Sequence, residues 1–357
     1  MIEVTKPFLP PIKEYQSMVD EIWNRNWLTN NGPLVKNLEL ELKKYLEVDN
    51  LLFTTNGTIA LQLAIRALNL SGEIITTPFS YVATTSSIVW ENCRPIFADI
   101  DSKRLTIDPT KIEALITKET TAILATHVYG IPCHIDEIDL IAKKYSLKVI
   151  YDAAHGFGTF YKNKTLLGYG DVSTLSTHAT KLFHTIEGGA VITKNSDVIK
   201  KIELLRNFGH DGAYKFNGIG INGKNSEFHA AMGIVNLKYI DNILADRVRA
   251  NNHYDNRLLK YGLLKPELPE YTSYNYSYYP IIFKSEEITI KVFNALAKKS
   301  ISARRYFYPS LDTLDYVEKA NTPVCDDISR RVLCLPMYYN LLEEEINVIC
   351  DIILKEL

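Results

Sequence analysis

Residues 148–193 read KVIYDAAHGFGTFYKNKTLLGYGDVSTLSTHATKLFHTIEGGAVIT. This stretch contains three apolar runs of strand length, Lys148–Tyr151, Val172–Ser176 and Ala190–Thr193, separated by glycine-containing and polar turns. Near-continuous apolar runs are typical of strands in a mainly parallel sheet, because helices cover both of its faces. The stretch therefore predicts the middle of an α/β sheet.

The same alternation of strand and helix extends on both sides of this stretch. Four further apolar runs bring the predicted sheet to seven strands: Leu51–Thr54, Glu73–Thr76, Pro95–Ala98 and Ala122–Thr126. Longer patterns with helical spacing lie between or after the runs: Thr58–Leu68, Tyr81–Trp90, Pro109–Ile116, Ile135–Tyr145 and Asp197–Asn207. Because the connections are short, we expect a mainly parallel sheet.

The chain is long enough for more than one domain. We expect an N-terminal arm with a helix at Glu14–Asn26 (residues 1–30), a large domain (residues 31–240) and a smaller C-terminal α+β domain (residues 241–357). A long helical stretch, Glu227–Leu259, precedes a change to proline- and tyrosine-rich sequence. The small domain should contain a strand at Tyr279–Phe283 and end with a helix at Glu343–Leu354.

Composition limits the classes of function. The net charge is −2 and charged residues make up 23%, which does not favour nucleic-acid or membrane-surface binding. The five cysteines are scattered and have no CxxC spacing, so neither a disulfide framework nor a zinc site is indicated. Prolines interrupt the N-terminus where a signal peptide would be apolar. We expect a cytoplasmic enzyme that acts on small molecules.

Polar residues that follow the predicted strands are the candidates for chemistry, since ligands of open α/β sheets bind there. Gly57 and Thr58 open a helix and could hold a phosphate or form an ordinary cap. Asp152 could cap a helix or pair with a protonated pyridine nitrogen. Lys181 could form an imine or be a solvated surface lysine, and His178 alone could be structural.

Taken together, these residues resemble the DegT/DnrJ/EryC1/StrS family of sugar aminotransferases, which are fold-type I pyridoxal-phosphate enzymes. The order and spacing of the motifs carry the resemblance over nearly the whole chain. The motifs are Trp27-Leu28-Thr29, Gly32-Pro33, residues 56–61 (NGTIAL), residues 81–84 (YVAT), residues 152–155 (DAAH), residues 176–181 (STHATK), residues 187–189 (EGG), residues 206–209 (RNFG), residues 222–227 with Ala230-Ala231, and Leu335-Pro336.

The resemblance implies a role for each matching residue. Lys181 would carry pyridoxal 5'-phosphate as a Schiff base, and Asp152 would bind its ring nitrogen. His155 would lie near the phenolic oxygen of the cofactor, Tyr81 or Phe79 would stack on its ring, and its phosphate would be bound by Gly57, Thr58 and Ser176. Asn222 would reach the same phosphate from the neighbouring subunit of a homodimer with shared sites. The substrate would be bound by Thr29, His178 and Lys224.

The resemblance also implies a reaction. His178 followed by Ala-Thr-Lys is similar to members that aminate C4 of a nucleotide-linked 4-keto-6-deoxyhexose, expected here to be dTDP-4-keto-6-deoxy-D-glucose. L-Glutamate would be the amino donor, and pyridoxamine phosphate would be the intermediate form of the cofactor. The product, dTDP-4-amino-4,6-dideoxy-D-glucose, would belong to deoxyamino sugar biosynthesis for lipopolysaccharide O-antigen.

Other readings remain open from the sequence. The same fold could act at C3 or on a UDP-linked keto sugar, and a non-catalytic regulatory homologue would retain the fold without turnover. Dehydratases of the family carry histidine at the lysine position, so Lys181 argues against that activity. A cysteine desulfurase would need a mobile loop thiol, for which Cys325 is the candidate, and would have adjacent histidine and lysine.

Overall fold

The computed structural model describes residues 1–357. The α-helices are α1 (Ile12–Arg25), α2 (Pro33–Leu46), α3 (Gly57–Ala67), α4 (Val82–Trp90), α5 (Ile135–Tyr145), α6 (Ser196–Leu205), α7 (Glu227–Leu237), α8 (Ile240–Leu258), α9 (Glu286–Lys298), α10 (Pro323–Arg331) and α11 (Glu343–Lys355). The strands are β1 (Asn50–Thr54), β2 (Glu73–Thr76), β3 (Arg94–Phe97), β4 (Thr120–Thr126), β5 (Lys148–Asp152), β6 (Phe160–Tyr161), β7 (Lys164–Thr165), β8 (Val172–Ser176), β9 (Gly189–Thr193), β10 (Thr272–Ser273), β11 (Tyr279–Ile282) and β12 (Val332–Leu335).

The central sheet has seven strands in the order β1, β9, β8, β5, β4, β2, β3. Strand β9 is antiparallel to both of its neighbours, and every other pairing in the sheet is parallel. The predicted seven-stranded, mainly parallel α/β sheet is therefore confirmed. The reversal of β9 follows from its connection to β8, because residues 177–188 contain no crossover helix that could return the chain to the opposite end.

Helices cover both faces of this sheet, and the alternation of side chains along β1 shows how. Leu51 and Phe53 pack into a core with α2 and α7 on one face. Leu52 packs into a second core with α3 on the other face. Because side chains of a strand point alternately to its two sides, an apolar run without polar interruptions is what a doubly covered strand requires.

A separate apolar core lies in the C-terminal part of the chain, between the two-stranded β11–β12 sheet and helices α8, α9 and α11. Helix α8 connects the two parts, since Ile240 and Ile243 belong to the core of the large sheet and Tyr254 and Leu258 to the C-terminal core. The N-terminus also reaches the C-terminal core through a parallel bridge between Ile2 and Ile301. The exact domain boundaries at 30/31 and 240/241 stay a prediction.

The structure corrects several elements. Residues 227–259 form two helices rather than one, because Tyr239 adopts φ −106° and ψ 0°, outside helical geometry. Residues 109–116 form two 3₁₀ turns rather than an α-helix. Helices α9 and α10 and strand β12 were not predicted. None of the helices has both the length and the apolar character required to cross a membrane.

Candidate active site

A cavity of about 450 Å³ lies where β4, β5 and β8 end and α3 begins. The parallel strands of the sheet present their carboxyl ends here, which is where ligands of open α/β sheets bind. Four residues of the C-terminal part also line the cavity: Tyr278, Arg304, Tyr306 and Phe307. Eight of the predicted site residues line the cavity: Gly57, Thr58, Tyr81, Asp152, His155, Ser176, His178 and Lys181.

Asp152 is the last residue of β5, and its side chain is buried at the base of the cavity. Its Oδ2 accepts a hydrogen bond from Thr84 Oγ1 at 2.7 Å, and its Oδ1 accepts one from the backbone N–H of Ala154 at 3.1 Å. Burial raises the pKa of this carboxyl group, although both hydrogen bonds and the nearby Lys181 oppose the shift. A buried carboxylate held by neutral donors beside a cavity suits a cationic ligand group.

A chain of hydroxyl groups supports Asp152. Thr84 Oγ1 lies 2.7 Å from Ser80 Oγ, and Ser80 Oγ lies 3.0 Å from Thr126 Oγ1. Each hydroxyl can donate or accept, so the chain can adapt to the protonation state of the carboxyl group. Sequence reasoning missed Ser80 and Thr84, although a polar residue on the buried face of α4 is a signal that could have located Thr84.

Lys181 lies in the loop between β8 and β9, and backbone hydrogen bonds within this loop fix its shape. The N–H of Thr177 donates to Gly188 O and the N–H of Thr185 donates to Thr177 O, both at 2.8 Å. Desolvation of the ammonium group lowers the pKa of Lys181, and the nearby Tyr306 and Asp152 oppose this shift. Compared with an exposed lysine, a larger fraction of Lys181 is therefore deprotonated and present as the nucleophilic neutral amine.

The N-terminus of α3 forms one end of the cavity. Asn56 caps the helix, its Oδ1 accepting from the N–H of Ile59 at 2.8 Å. Gly57 follows, and a Cβ placed there would lie 3.0 Å from Ser176 Cβ, so the glycine allows the helix end and Ser176 to approach each other. Backbone N–H groups, the positive end of the helix dipole and the hydroxyls of Thr58 and Ser176 provide suitable donors for a phosphate.

The two aromatic candidates, Phe79 and Tyr81, differ in their burial and in their position relative to the cavity. Phe79 is fully buried, lies edge-on to Tyr129 and Phe307, and does not line the cavity, so its position favours Tyr81 as the residue that would stack on a ligand ring. Tyr81 lines the cavity and is exposed. His155 is buried and its Nδ1 accepts from the N–H of Tyr129 at 3.1 Å, which leaves Nε2 as the donor; burial keeps its pKa well below the usual value.

His178 is held in one orientation at the mouth of the cavity. Its Nδ1 lies 2.8 Å from Thr180 Oγ1 and accepts from the N–H of Thr180 at 3.2 Å, while Nε2 lies 3.4 Å from Glu187 Oε1. Sequence reasoning did not give Glu187 a role, and it also missed Arg304 and Tyr306, which line the cavity from the C-terminal part of the chain.

Three predicted site residues lie away from the cavity within this chain. Thr29 is exposed, and Lys224 donates to Asn222 Oδ1 at 2.9 Å. Lys224 lines a second, more open cavity of about 460 Å³ together with Asn30, Asn31, Asn207, Phe208, His210 and Gly212. The structure of one chain therefore does not bring Thr29, Asn222 and Lys224 to Lys181.

The arrangement matches that of known proteins. Residues 11–354 match the DegT/DnrJ/EryC1/StrS aminotransferase family. The chain belongs to this family. Members of the family are pyridoxal-phosphate-dependent sugar aminotransferases, so this chain is a pyridoxal-phosphate-dependent aminotransferase. The fold-type I architecture and the cofactor expected from the sequence are thereby confirmed.

Individual relatives of this aminotransferase are similar over their whole length. The dTDP-4-amino-4,6-dideoxy-D-glucose transaminase of Shigella dysenteriae is 42% identical over 95% of each chain. A protein of the same name from Escherichia coli is 38% identical over 100% of this chain and 99% of its own. Among solved structures, DesI in the presence of its TDP-sugar product superposes with a TM-score of 0.94 at 29% identity, over 99% of this chain and 93% of its own.

The cavity of the aminotransferase fits its cofactor at three points. The buried carboxylate of Asp152 suits the ring nitrogen, the N-terminus of α3 suits the phosphate, and the amine of Lys181 suits the aldehyde. Gly57 independently indicates a phosphate site, because a Cβ at this position would fill the space beside Ser176.

Proposed function

We propose that this aminotransferase moves an amino group from L-glutamate to C4 of dTDP-4-keto-6-deoxy-D-glucose and so forms dTDP-4-amino-4,6-dideoxy-D-glucose. The observation that carries the proposal is that Lys181 and Asp152 face one cavity at the carboxyl ends of the strands. The names of the two relatives at 42% and 38% identity support the substrate.

Lys181 and Asp152 have different tasks in the proposed reaction. Pyridoxal phosphate, when bound, supplies a protonated aromatic ring that withdraws electrons from the carbon carrying the exchanged nitrogen. Asp152 keeps the ring nitrogen protonated, because separating the two opposite charges would leave a carboxylate buried without a cation. Lys181 holds the cofactor covalently at rest, and its free amine acts as the base and acid that moves a proton.

We further propose that His178 binds the sugar near the carbonyl oxygen. Because Nδ1 of His178 accepts from Thr180, its proton lies on Nε2, on the side of Glu187. A hydroxyl of the sugar can bind between this N–H and the carboxylate. Arg304, which is exposed and lines the same cavity, offers a cationic partner for the diphosphate of the substrate or a carboxylate of the donor.

We propose a homodimer with shared active sites. Asn222, Lys224 and Thr29 would then complete the cavity of the neighbouring subunit, which accounts for their distance from Lys181 in one chain. The segment 208–221 contains solvent-exposed apolar side chains; the exposed fraction is 98% for Tyr214 and 93% for Ile219. An exposed apolar segment of this kind is typical of an interaction surface. All five cysteines are unpaired, which supports a reducing compartment such as the cytoplasm.

The function can be tested in two steps. Borohydride reduction of the cofactor-loaded protein followed by peptide mass spectrometry should place the cofactor mass on Lys181. Turnover with L-glutamate should then be compared between dTDP-4-keto-6-deoxy-D-glucose, its 3-keto isomer and a UDP-linked 4-keto sugar. A mass on another lysine would refute the site, whereas preference for the 3-keto or UDP-linked compound would refute the substrate only.

A further inference from the structure

Tyr278 has a hydroxyl group that faces the reactive amine. Its oxygen lies 3.4 Å from Nζ of Lys181, which is its single hydrogen-bond partner, and its side chain is 8% exposed. A buried phenol normally requires a partner, since an unsatisfied hydroxyl is costly. Tyr278 therefore depends on Lys181 for this contact.

The ring of Tyr278 is fixed by its neighbours. It packs against His155 with the ring centroids 4.7 Å apart, and against Tyr129 and Tyr306 with the centroids 5.8 Å apart in both cases. These contacts come from the loop after β5, from the segment after β4 and from the C-terminal part of the chain. The hydroxyl consequently has little freedom to leave Lys181.

The backbone that carries Tyr278 is also held by buried polar groups. Asn275 donates to His155 O at 2.7 Å and to Phe157 O at 2.8 Å, and its Oδ1 accepts from the N–H of Ser277 at 3.0 Å. Arg247 is buried and donates to Ser277 O at 3.0 Å. Burial lowers the pKa of this guanidinium although the nearby Asp246 opposes the shift, so the segment before Tyr278 is held by a buried cation.

We propose that Tyr278 is a further catalytic residue, whose hydroxyl orients the amine of Lys181 throughout proton transfer. Burial raises the pKa of the Tyr278 phenol, so the hydroxyl stays protonated at neutral pH. It donates to the neutral amine of Lys181, and after that amine takes up a proton the same oxygen accepts from the ammonium group. The phenol proton stays on Tyr278 in both states, and the transferred proton stays on Lys181. The proposal rests on the assigned role of Lys181.

The test compares Tyr278→Phe with Tyr279→Phe. Tyr279 is the matched control because it is also buried and loses one hydroxyl hydrogen bond, to Asp255 at 2.7 Å, but lies in the C-terminal core. In Tyr278→Phe we expect kcat to fall about tenfold with the KM for the keto sugar within twofold, because a displaced base affects the chemical step more than binding.

A second readout needs no bound cofactor. In cofactor-free protein, the rate at which cyanate carbamylates Lys181, followed by peptide mass spectrometry from pH 6 to 10, has a midpoint at the pKa of that amine. Tyr278→Phe should lower the midpoint by about 0.5 to 1 pH unit, since a hydrogen bond to the ammonium is stronger than one to the neutral amine. Tyr306, Asp152 and Tyr81, whose charges act on Lys181, and the nearby His155 are unchanged in both variants.

The outcomes are distinct. A lower midpoint together with a lower kcat in Tyr278→Phe, and neither in Tyr279→Phe, supports the proposal. An unchanged midpoint or an unchanged kcat in Tyr278→Phe, or the same changes in Tyr279→Phe, overturns it. Reductive mapping of the cofactor in the wild-type protein tests Lys181 separately, so a failure of the proposed function would be recognised as such.

Discussion

Replacing Asp152 by Asn should make the cofactor-free protein more stable and the loaded enzyme much less active. Asparagine has nearly the same shape, and it can keep both contacts: its Oδ1 accepts from the N–H of Ala154, and its Nδ2 donates to Thr84. The hydroxyl chain through Ser80 can reverse, since each of its oxygens can donate or accept. The substitution therefore removes a buried charge and leaves the packing intact.

The magnitude follows from two opposing effects. Burying a carboxylate costs several kcal/mol. Two hydrogen bonds to a charged acceptor return about 1 kcal/mol each beyond neutral ones, and the nearby Lys181 returns a further part. We expect a net gain of about 1–2 kcal/mol for cofactor-free Asp152→Asn, or a rise in Tm of about 1–3 °C for a chain of this size. With the cofactor, breaking the charge pair costs about 3 kcal/mol or more, so binding and kcat/KM should each fall at least about a hundredfold.

The pH dependence provides an internal check. Because burial raises the folded-state pKa of Asp152 above its unfolded value, the wild-type protein has the stability of the neutral carboxyl group only at low pH and loses it as the pH rises through the folded pKa. The advantage of Asp152→Asn should therefore be largest near pH 8 and disappear in acid. Thermal unfolding of the cofactor-free wild-type protein and of Asp152→Asn from pH 4.5 to 8 measures this difference in stability.

The control for this prediction is Asp312→Asn, which changes a buried carboxylate that binds the hydroxyls of Ser310 and Thr322 away from the cavity. Cofactor affinity should not change in that variant. If cofactor-free Asp152→Asn is less stable than wild type at pH 8, or if it binds the cofactor normally, the reasoning about the buried charge is refuted.

Three further results are expected. Gly57→Ala should weaken cofactor binding about tenfold, measured by titration of the cofactor-free protein, because the new Cβ would displace Ser176; unchanged affinity would remove Gly57 from the phosphate site. Lys181→Ala and Asn222→Ala subunits should each be impaired alone, but after mixed reassociation about a quarter of the sites should be intact if sites are shared between two subunits; no recovery of turnover would contradict sharing. Glu227→Gln should destabilise the protein by about 1–2 kcal/mol in denaturant unfolding, because its buried carboxylate accepts from two N–H groups of the first turn of α2, each at 2.9 Å; equal stability would contradict this.

The sequence predicted the large sheet well because each strand is apolar on both faces. All seven predicted runs lie within two residues of the observed strands. The direction of β9 was not predicted individually, since orientation depends on whether a connection contains a helix, and the loop of Lys181 has polar residues that do not settle this. The break between α7 and α8 was missed because Tyr239, unlike proline or glycine, gives no signal of a helix end.

The same distinction applies to the candidate site. Gly57, Asp152 and Lys181 could be singled out because they follow predicted strands or open a helix, whereas their roles, and Ser176, came from the resemblance to the family. Tyr278 could not, because it reaches the cavity from the C-terminal part of the chain, and tertiary packing alone brings it to Lys181. The structure favours Tyr81 over Phe79, which are two residues apart and which sequence spacing cannot separate.

The pairing of β1 has a consequence for synthesis on the ribosome. β1 lies at one edge of the sheet, and its only strand neighbour, β9, is made more than 130 residues later. At translation rates of about 5–20 residues per second, the apolar segment 51–54 waits about 7 to 27 seconds before that neighbour leaves the exit tunnel. During that interval the nascent chain has an unpaired strand that a chaperone can bind.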